Sequence, residues 1–258
     1  MSQRSGIEWT DATWNPVTGC TQVSAGCDNC YALTLAHRLL REHYTSRRPE
    51  RDSIARRLDP FAVRIWPDKL REPLSWRAPR RVFVNSMGDL FHVDVPEPFV
   101  RAVFEVMMSA NTHIYQILTK RPARMERFVR RHADLFGLDG VPTHIWLGTS
   151  VESQDVAFRV EQLRRVHARV RFLSCEPLLG PLTFPLHDIH WVIAGGESGI
   201  LHRAMALDWV RELRDACTTA AVPFFFKQVG GRTPKAGGRI LDGRTWSEYP
   251  SASALNHA

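Results

Sequence analysis

Six times between residues 82 and 228 the chain repeats a short apolar run with a polar ending, and four stretches with apolar residues at helical spacing lie between the runs. The runs are Val82-Phe83-Val84, Ile114-Tyr115-Gln116-Ile117-Leu118, Ile145-Trp146-Leu147, Val170-Arg171-Phe172-Leu173, Trp191-Val192-Ile193-Ala194 and Phe224-Phe225-Phe226. Between them, residues 97–110, 122–134, 153–167 and 207–221 gather apolar side chains on one helical face. Strands that are apolar on both faces pair in parallel and need a covering helix between each pair, so the alternation predicts an α/β fold with right-handed crossovers. With a short strand or turn before Cys20 and a helix from Tyr31, the chain holds six or seven such βα units.

Periodicity sets the units and leaves two closures open, an open doubly wound sheet or a full or partial (βα) barrel of the TIM type. The endings favour the barrel. Asn85-Ser86-Met87-Gly88-Asp89, Thr119-Lys120-Arg121, Gly148-Thr149-Ser150-Val151-Glu152, Ser174-Cys175-Glu176, Gly195-Gly196-Glu197-Ser198 and Lys227-Gln228 each follow an apolar run. In a (βα) barrel all such ends converge on one face, where active sites are built. The reading predicts a barrel domain over residues 1–229 and a C-terminal tail over residues 230–258, a hairpin or extended flap with a mobile end.

Residues 44–81 break the rhythm with five prolines and read as an insertion or lid after the first helix. The net charge of +7 gathers there: residues 38–81 hold thirteen Lys and Arg against six Asp and Glu. Arg47, Arg48, Arg56 and Arg57 are therefore candidates for contact with the phosphates of DNA or RNA, the alternative being a solvated helical face. No run of apolar residues is long enough to cross a membrane, and the opening MSQRSGIEWTDATW lacks the layout of a secretion signal. A cytoplasmic protein is expected, with no membrane partner.

In a reducing compartment a short cysteine cluster points to a metal or cofactor more than to disulfides. Cys20, Cys27 and Cys30 form a C-x6-C-x2-C pattern in a loop flanked by Gly19 and Gly26. Structural zinc would want a fourth ligand at short spacing, and the nearest, His37, falls inside the predicted helix. Three thiolates with an open position suit an iron–sulfur cluster. Cys217 reads as helix packing.

Three cysteines before the first helix of a (βα) barrel, with Tyr31 beside the last, resemble a radical S-adenosylmethionine enzyme. The first spacing is six residues where that superfamily usually has three, and the aromatic follows the last Cys instead of preceding it. A closer resemblance covers nearly the whole chain. W-N-P-x-T-G-C, C-x6-C-x2-C-Y, N-S-M-G-D-L-F, L-T-K-R, G-T-S-V-E, F-L-S-C-E-P-L-L-G, A-G-G-E-S-G and F-F-K-Q-x-G are similar to an uncharacterised, phage-associated three-cysteine-motif family, itself radical-SAM-like. Among better understood enzymes, spore photoproduct lyase, a DNA-repair enzyme built on a partial barrel, is nearest in style.

The resemblance implies a 4Fe-4S cluster on Cys20, Cys27 and Cys30, S-adenosyl-L-methionine chelated by its open iron, a 5′-deoxyadenosyl radical and a reductant protein as partner. It places Ser86, Gly88 and Asp89 at the amino group of the cofactor, with a helix cap as the alternative for Asp89. Ser150 and Glu152 fall where ribose and carboxylate are held. Lys120 suits a carboxylate or phosphate, and Gly195, Gly196 and Glu197 could cradle adenine or phosphate through backbone donors. Cys175, Glu176 and Lys227 are the candidate catalytic residues, Cys175 as a hydrogen donor or else a small core residue. Three functions follow. The first is a radical enzyme that repairs or modifies nucleic acid, and the second a non-catalytic zinc or iron–sulfur nucleic-acid-binding protein. The third, a zinc hydrolase using His92 or His113 with Glu176, lacks a paired-histidine motif.

Overall fold

A computed structural model describes residues 5–233 and 235–251. Its strands are β1 (Ala12–Trp14), β2 (Val17–Thr18), β3 (Arg64–Ile65), β4 (Arg81–Val84), β5 (Ile114–Thr119), β6 (Val141–Ser150), β7 (Ala168–Cys175), β8 (Trp191–Gly195), β9 (Phe224–Gln228), β10 (Ile240–Leu241) and β11 (Arg244–Thr245). The helices are α1 (Tyr31–Arg38), α2 (Arg41–Thr45), α3 (Ile54–Leu58), α4 (Glu97–Ser109), α5 (Pro122–Arg131), α6 (Ala133–Phe136), α7 (Phe158–Arg164) and α8 (Leu207–Thr219). Seven strands form one parallel sheet in the order β1-β4-β5-β6-β7-β8-β9, so each new strand is laid beside the last. The edges β1 and β9 are not paired with each other, and the curled sheet is a partial barrel.

Side-chain alternation along each strand separates two cores. Outward-facing Val82, Val84, Tyr115, Ile117, Leu147, Leu173, Val192 and Phe224 pack with the helices in the larger one. Inward-facing Phe83, Trp146, Phe172, Trp191, Ile193 and Phe225 form the second with Trp9, which precedes β1. Trp9 lies 4.6 Å from Phe83 and 6.2 Å from Trp191, ring centre to ring centre. A residue ahead of the first strand can meet the sixth only because the sheet curls.

Trp191 is the hub of this floor, with Trp146 at 5.5 Å, Phe172 at 5.6 Å and Tyr249 at 5.2 Å. The floor closes the amino end of the barrel with apolar mass and leaves polar residues to the carboxyl end.

The tail makes the expected hairpin: β10 and β11 pair antiparallel across Asp242 and Gly243, both at positive φ. Ser247 bridges to Phe225, and the indole of Trp191 donates to the Glu248 carbonyl at 2.8 Å. The tail is thus tied to the barrel floor; residues 252–258, where its mobile end was expected, lie outside the described residues.

The insertion is a folded layer. β3 pairs antiparallel with β2, and Arg64, with no exposed surface, donates to the carbonyls of Arg47, Asp59, Ala62, Arg56 and Arg57. One guanidinium supplies donors that short helix α3 and its flanking turns lack. Around it Tyr44, Phe61 and Trp66 pack with Ala32 and Ala36 of α1.

Candidate functional site

The thiol loop begins where β1 pairing with β4 runs on past both strands. Gly19 bridges Gly88 in parallel register and its N–H donates to the Met87 carbonyl at 2.9 Å. On the other side the Cys20 N–H donates to the Phe61 carbonyl at 3.1 Å. Gly19 has φ +86°, and a side chain there would run into the backbone of Phe61 and Ala62. Only glycine fits between the barrel rim and the insertion.

Three rim carboxylates then hold the loop. Asp89, after β4, accepts from the Thr119 hydroxyl at 2.8 Å and the Phe91 N–H at 2.9 Å, and pairs with Arg121 at 2.8 Å. The same guanidinium reaches Cys20 Sγ at 3.4 Å and the Thr21 carbonyl at 3.0 Å. Glu152, after β6, is fully buried, pairs with Arg159 at 3.0 Å and accepts the Gly26 N–H at 3.3 Å. Glu197, after β8, accepts from Asn29 at 2.9 Å and from Arg203 at 2.6 Å, while Arg203 also binds Asp28 and the Ala25 carbonyl. Each of the three thus positions one cysteine's neighbourhood: Cys20, Cys27 and the turn between Cys27 and Cys30.

These bonds set the charge states. Burial alone would raise the Glu152 carboxyl, but Lys120 and Arg159 outweigh it and hold the group below its usual range. Glu197 behaves alike, with Arg203 and Asn29 opposing burial. The Cys20 thiol is pushed up to about 11 by burial and by Asp89, against the opposing pull of Arg121. His92, lowered to about 4 mainly by burial and then by Arg121, is neutral. Its Nδ1 accepts the Asp94 N–H, so Nε2 donates to the Thr21 hydroxyl at 2.8 Å.

The centre of the mouth is different. Lys227 of β9 pairs with Glu176 across the end of β8, both side chains largely covered. Gly195 lies between them and is buried: a methyl group there would meet Lys227 Cβ at 3.4 Å and Glu176 Cδ at 3.5 Å, ordinary contact distances, so it would fit without a clash. Ser150 and Ser174 are buried beside the mouth and Lys120 is half-exposed. Tyr31 donates from its hydroxyl to the Ser86 carbonyl at 2.5 Å.

Several sequence expectations change. Asp89, Glu152 and Glu197 are committed to the loop and to Arg121, Arg159 and Arg203, so they are not open to a cofactor. Gly196 packs on the Val229 backbone and Gly88 on Gly19, while the Ser86 hydroxyl donates to Asn15 at 3.3 Å. Cys175 is fully buried on the helix-facing side, because Phe172 and Ser174 take the inward positions of β7. Burial raises its thiol well above the usual range, which removes it from the mouth chemistry. In the insertion Arg47 pairs with Asp68 at 2.5 Å, Arg56 with Asp94 at 2.6 Å and Arg57 with Asp52 at 2.6 Å; Arg48 is exposed. For the hydrolase arrangement, His113 precedes β5, at the opposite end of the sheet from Glu176, and both ring nitrogens of His92 are engaged, by Thr21 and the Asp94 N–H. Sequence reasoning missed Asn29, Arg121, Arg159 and Arg203; only Arg121, next to Lys120 at a strand end, carried a signal.

The donor set can be weighed against the expected cluster. No thiol of the loop is in a disulfide, and all three are half-buried. Cys30 takes the N-cap position of α1, and Cys20 faces a guanidinium. Among the described residues no three His, Cys, Asp or Glu side chains converge as a single ion requires. Three thiols suit an iron–sulfur cluster, and with a fourth ligand they would suit zinc. By residue type, and with no disulfide among them, Cys20, Cys27 and Cys30 fit a cluster of the iron–sulfur kind.

The fold and site define an open (βα) barrel with a buttressed three-cysteine loop at its carboxyl mouth. A family model described as a protein of unknown function, DUF5131, matches residues 4–250, and the chain belongs to that family. Neither the curated proteins nor the solved structures contain a match to it. Among the described residues no helix is long and apolar enough to cross a membrane.

Proposed function

We propose that the protein is a radical S-adenosylmethionine-type enzyme acting on nucleic acid in the cytoplasm, with a reductant protein supplying electrons. The observation that carries this reading is the convergence of three strand-end carboxylates on one loop whose thiols stay out of disulfides. A loop fastened at three points holds its sulfurs for a ligand; a merely structural loop of this length needs no such support.

Cys20, Cys27 and Cys30 would hold the 4Fe-4S cluster. When bound, the cluster and S-adenosylmethionine supply one-electron cleavage of the sulfonium. The chain's own part is to bind and orient. Lys120 and the backbone at Gly195 are the groups left for cofactor contact once the rim carboxylates are committed, with Ser150 beside them. Glu176 and Lys227 flank Gly195 as an ion pair, able to hold a proton or to part around a polar substrate. The aromatic floor excludes water from below. Of the arginines first assigned to nucleic acid, Arg48 is the exposed one without a hydrogen-bonded carboxylate; Arg47, Arg56 and Arg57 would have to give up theirs.

The test is anaerobic. Protein reconstituted with iron and sulfide is mixed with dithionite and S-adenosylmethionine, and formation of 5′-deoxyadenosine is followed by chromatography. Product that requires all three components is the expected result. A protein that binds iron and sulfide yet never cleaves the cofactor would reduce the reading to an iron–sulfur binding role.

A further inference from the structure

Arg121 stands where three parts of the molecule meet. Its Nη1 bonds both Asp89, at 2.8 Å, and Cys20 Sγ, at 3.4 Å; its Nη2 bonds the Thr21 carbonyl at 3.0 Å and hydroxyl at 3.1 Å. Asp89 cannot turn away, because Thr119 and the Phe91 N–H hold its other lone pairs. Thr21 is held from the far side by His92. The Thr119 hydroxyl also accepts the Arg121 N–H at 2.9 Å. Side chains of Arg121 and Asp89 are 15% and 8% exposed, dry enough that one hydrogen bond to sulfur counts. Neither Cys27 nor Cys30 has a side-chain cation bonded to its sulfur among the described residues.

We infer that Arg121 and Asp89 form a positioning pair that sets the reduction potential of the iron–sulfur group at Cys20. The inference rests on the reading above and adds a role for two residues that do not touch substrate. Hydrogen bonds to cluster sulfurs and nearby charge are the protein's means of tuning such a group. An N–H pointed at the thiolate sulfur favours the reduced, more negative form and makes electron entry easier. The Asp89 carboxylate bonds the guanidinium and, as a negative charge, opposes its pull on the potential; the charge is the larger of its two effects, because Thr21 also holds Arg121 in that pose.

The two side chains therefore act with opposite sign, which a purely structural role does not produce. Reconstituted wild-type, Arg121→Met, Arg121→Lys and Asp89→Asn proteins are titrated with a graded reductant and the reduced fraction read by electron paramagnetic resonance, without S-adenosylmethionine. Iron and sulfide content and thermal melting accompany each variant. The midpoint is expected to become more negative in Arg121→Met, to fall between that and wild type in Arg121→Lys, and to become more positive in Asp89→Asn. Midpoints that do not move, or move the same way in Arg121→Met and Asp89→Asn, overturn the pair while leaving the cluster standing. A variant that merely loses iron counts against a tuning role, and Arg121→Lys, which keeps the charge, then decides whether any shift exists. A wild-type protein that takes up no iron and sulfide ends the parent reading and this one together.

Discussion

The thiol loop and the insertion after it pack on one apolar cluster, formed by Ala32, Ala36, Tyr44, Phe61, Trp66 and Met87 with Cys20 and Cys30 against it, yet they treat their polar groups in opposite ways. In the insertion most charges are satisfied locally, Arg56 with Asp94 after β4 being an exception. Arg57 pairs with Asp52, Arg47 with Asp68, and Arg64 takes carbonyls within its own layer. In the loop the partners come from elsewhere: Asp89, Glu152 and Glu197 arrive from three different strands. Local pairing makes a stable wall from a segment rich in arginine. Remote pairing makes the loop's position depend on the barrel, which is what a site needs if its sulfurs are to stand over the mouth.

This contrast can be broken at Arg64 first. Arg64→Met leaves several buried carbonyls without a donor and should cost about 3–5 kcal/mol, the scale of breaking a buried charge network. Limited trypsin digestion should cut within residues 41–80 before the barrel is touched. Digestion that spares this segment would show that the wall does not depend on its arginine.

A smaller effect is expected from the remote contacts. Asn29→Ala removes one donor to Glu197, which keeps Arg203, so stability should fall by about 1 kcal/mol. Amide exchange should quicken over residues 26–31 and hardly at all in the insertion. Equal quickening in both would deny that the loop is fastened separately.

Gly195→Ala sharpens the difference between rim and centre. Its added methyl meets ordinary contact distances, so melting should shift little, while binding of S-adenosylmethionine, followed by calorimetry on the reconstituted protein, should weaken severalfold. Unchanged binding would move the cofactor away from Gly195.

The least effect belongs to Arg48→Glu. One lost phosphate contact lowers the salt slope of nucleic-acid binding by about 0.7 to 0.9. No change in slope would return the insertion wholly to structure.

The strands and long helices were legible because burial on both faces leaves continuous apolar runs. The predicted 97–110 and 207–221 became Glu97–Ser109 and Leu207–Thr219, and every one of the six runs became a strand. The partial closure was legible only in outline, since no local pattern says whether β1 and β9 meet. Within the site, residue types were readable and commitments were not. Asp89 and Glu197 look like free acids in sequence; Asp89 is taken by Arg121, 32 residues away, and Glu197 by Arg203 together with Asn29, 168 residues away. Cys175 fails for a simpler reason, the two-residue period of a strand, which sends Ser174 and Cys175 to opposite faces.

The central claim is that the three sulfurs of residues 20–30 hold one iron–sulfur group. Iron, acid-labile sulfide and zinc measured on anaerobically purified wild-type, Cys27→Ala and Cys217→Ala proteins test it most directly. The account predicts iron and sulfide in equal amounts in wild type and Cys217→Ala and their loss in Cys27→Ala. Zinc in place of iron, or equal losses in both variants, would contradict it.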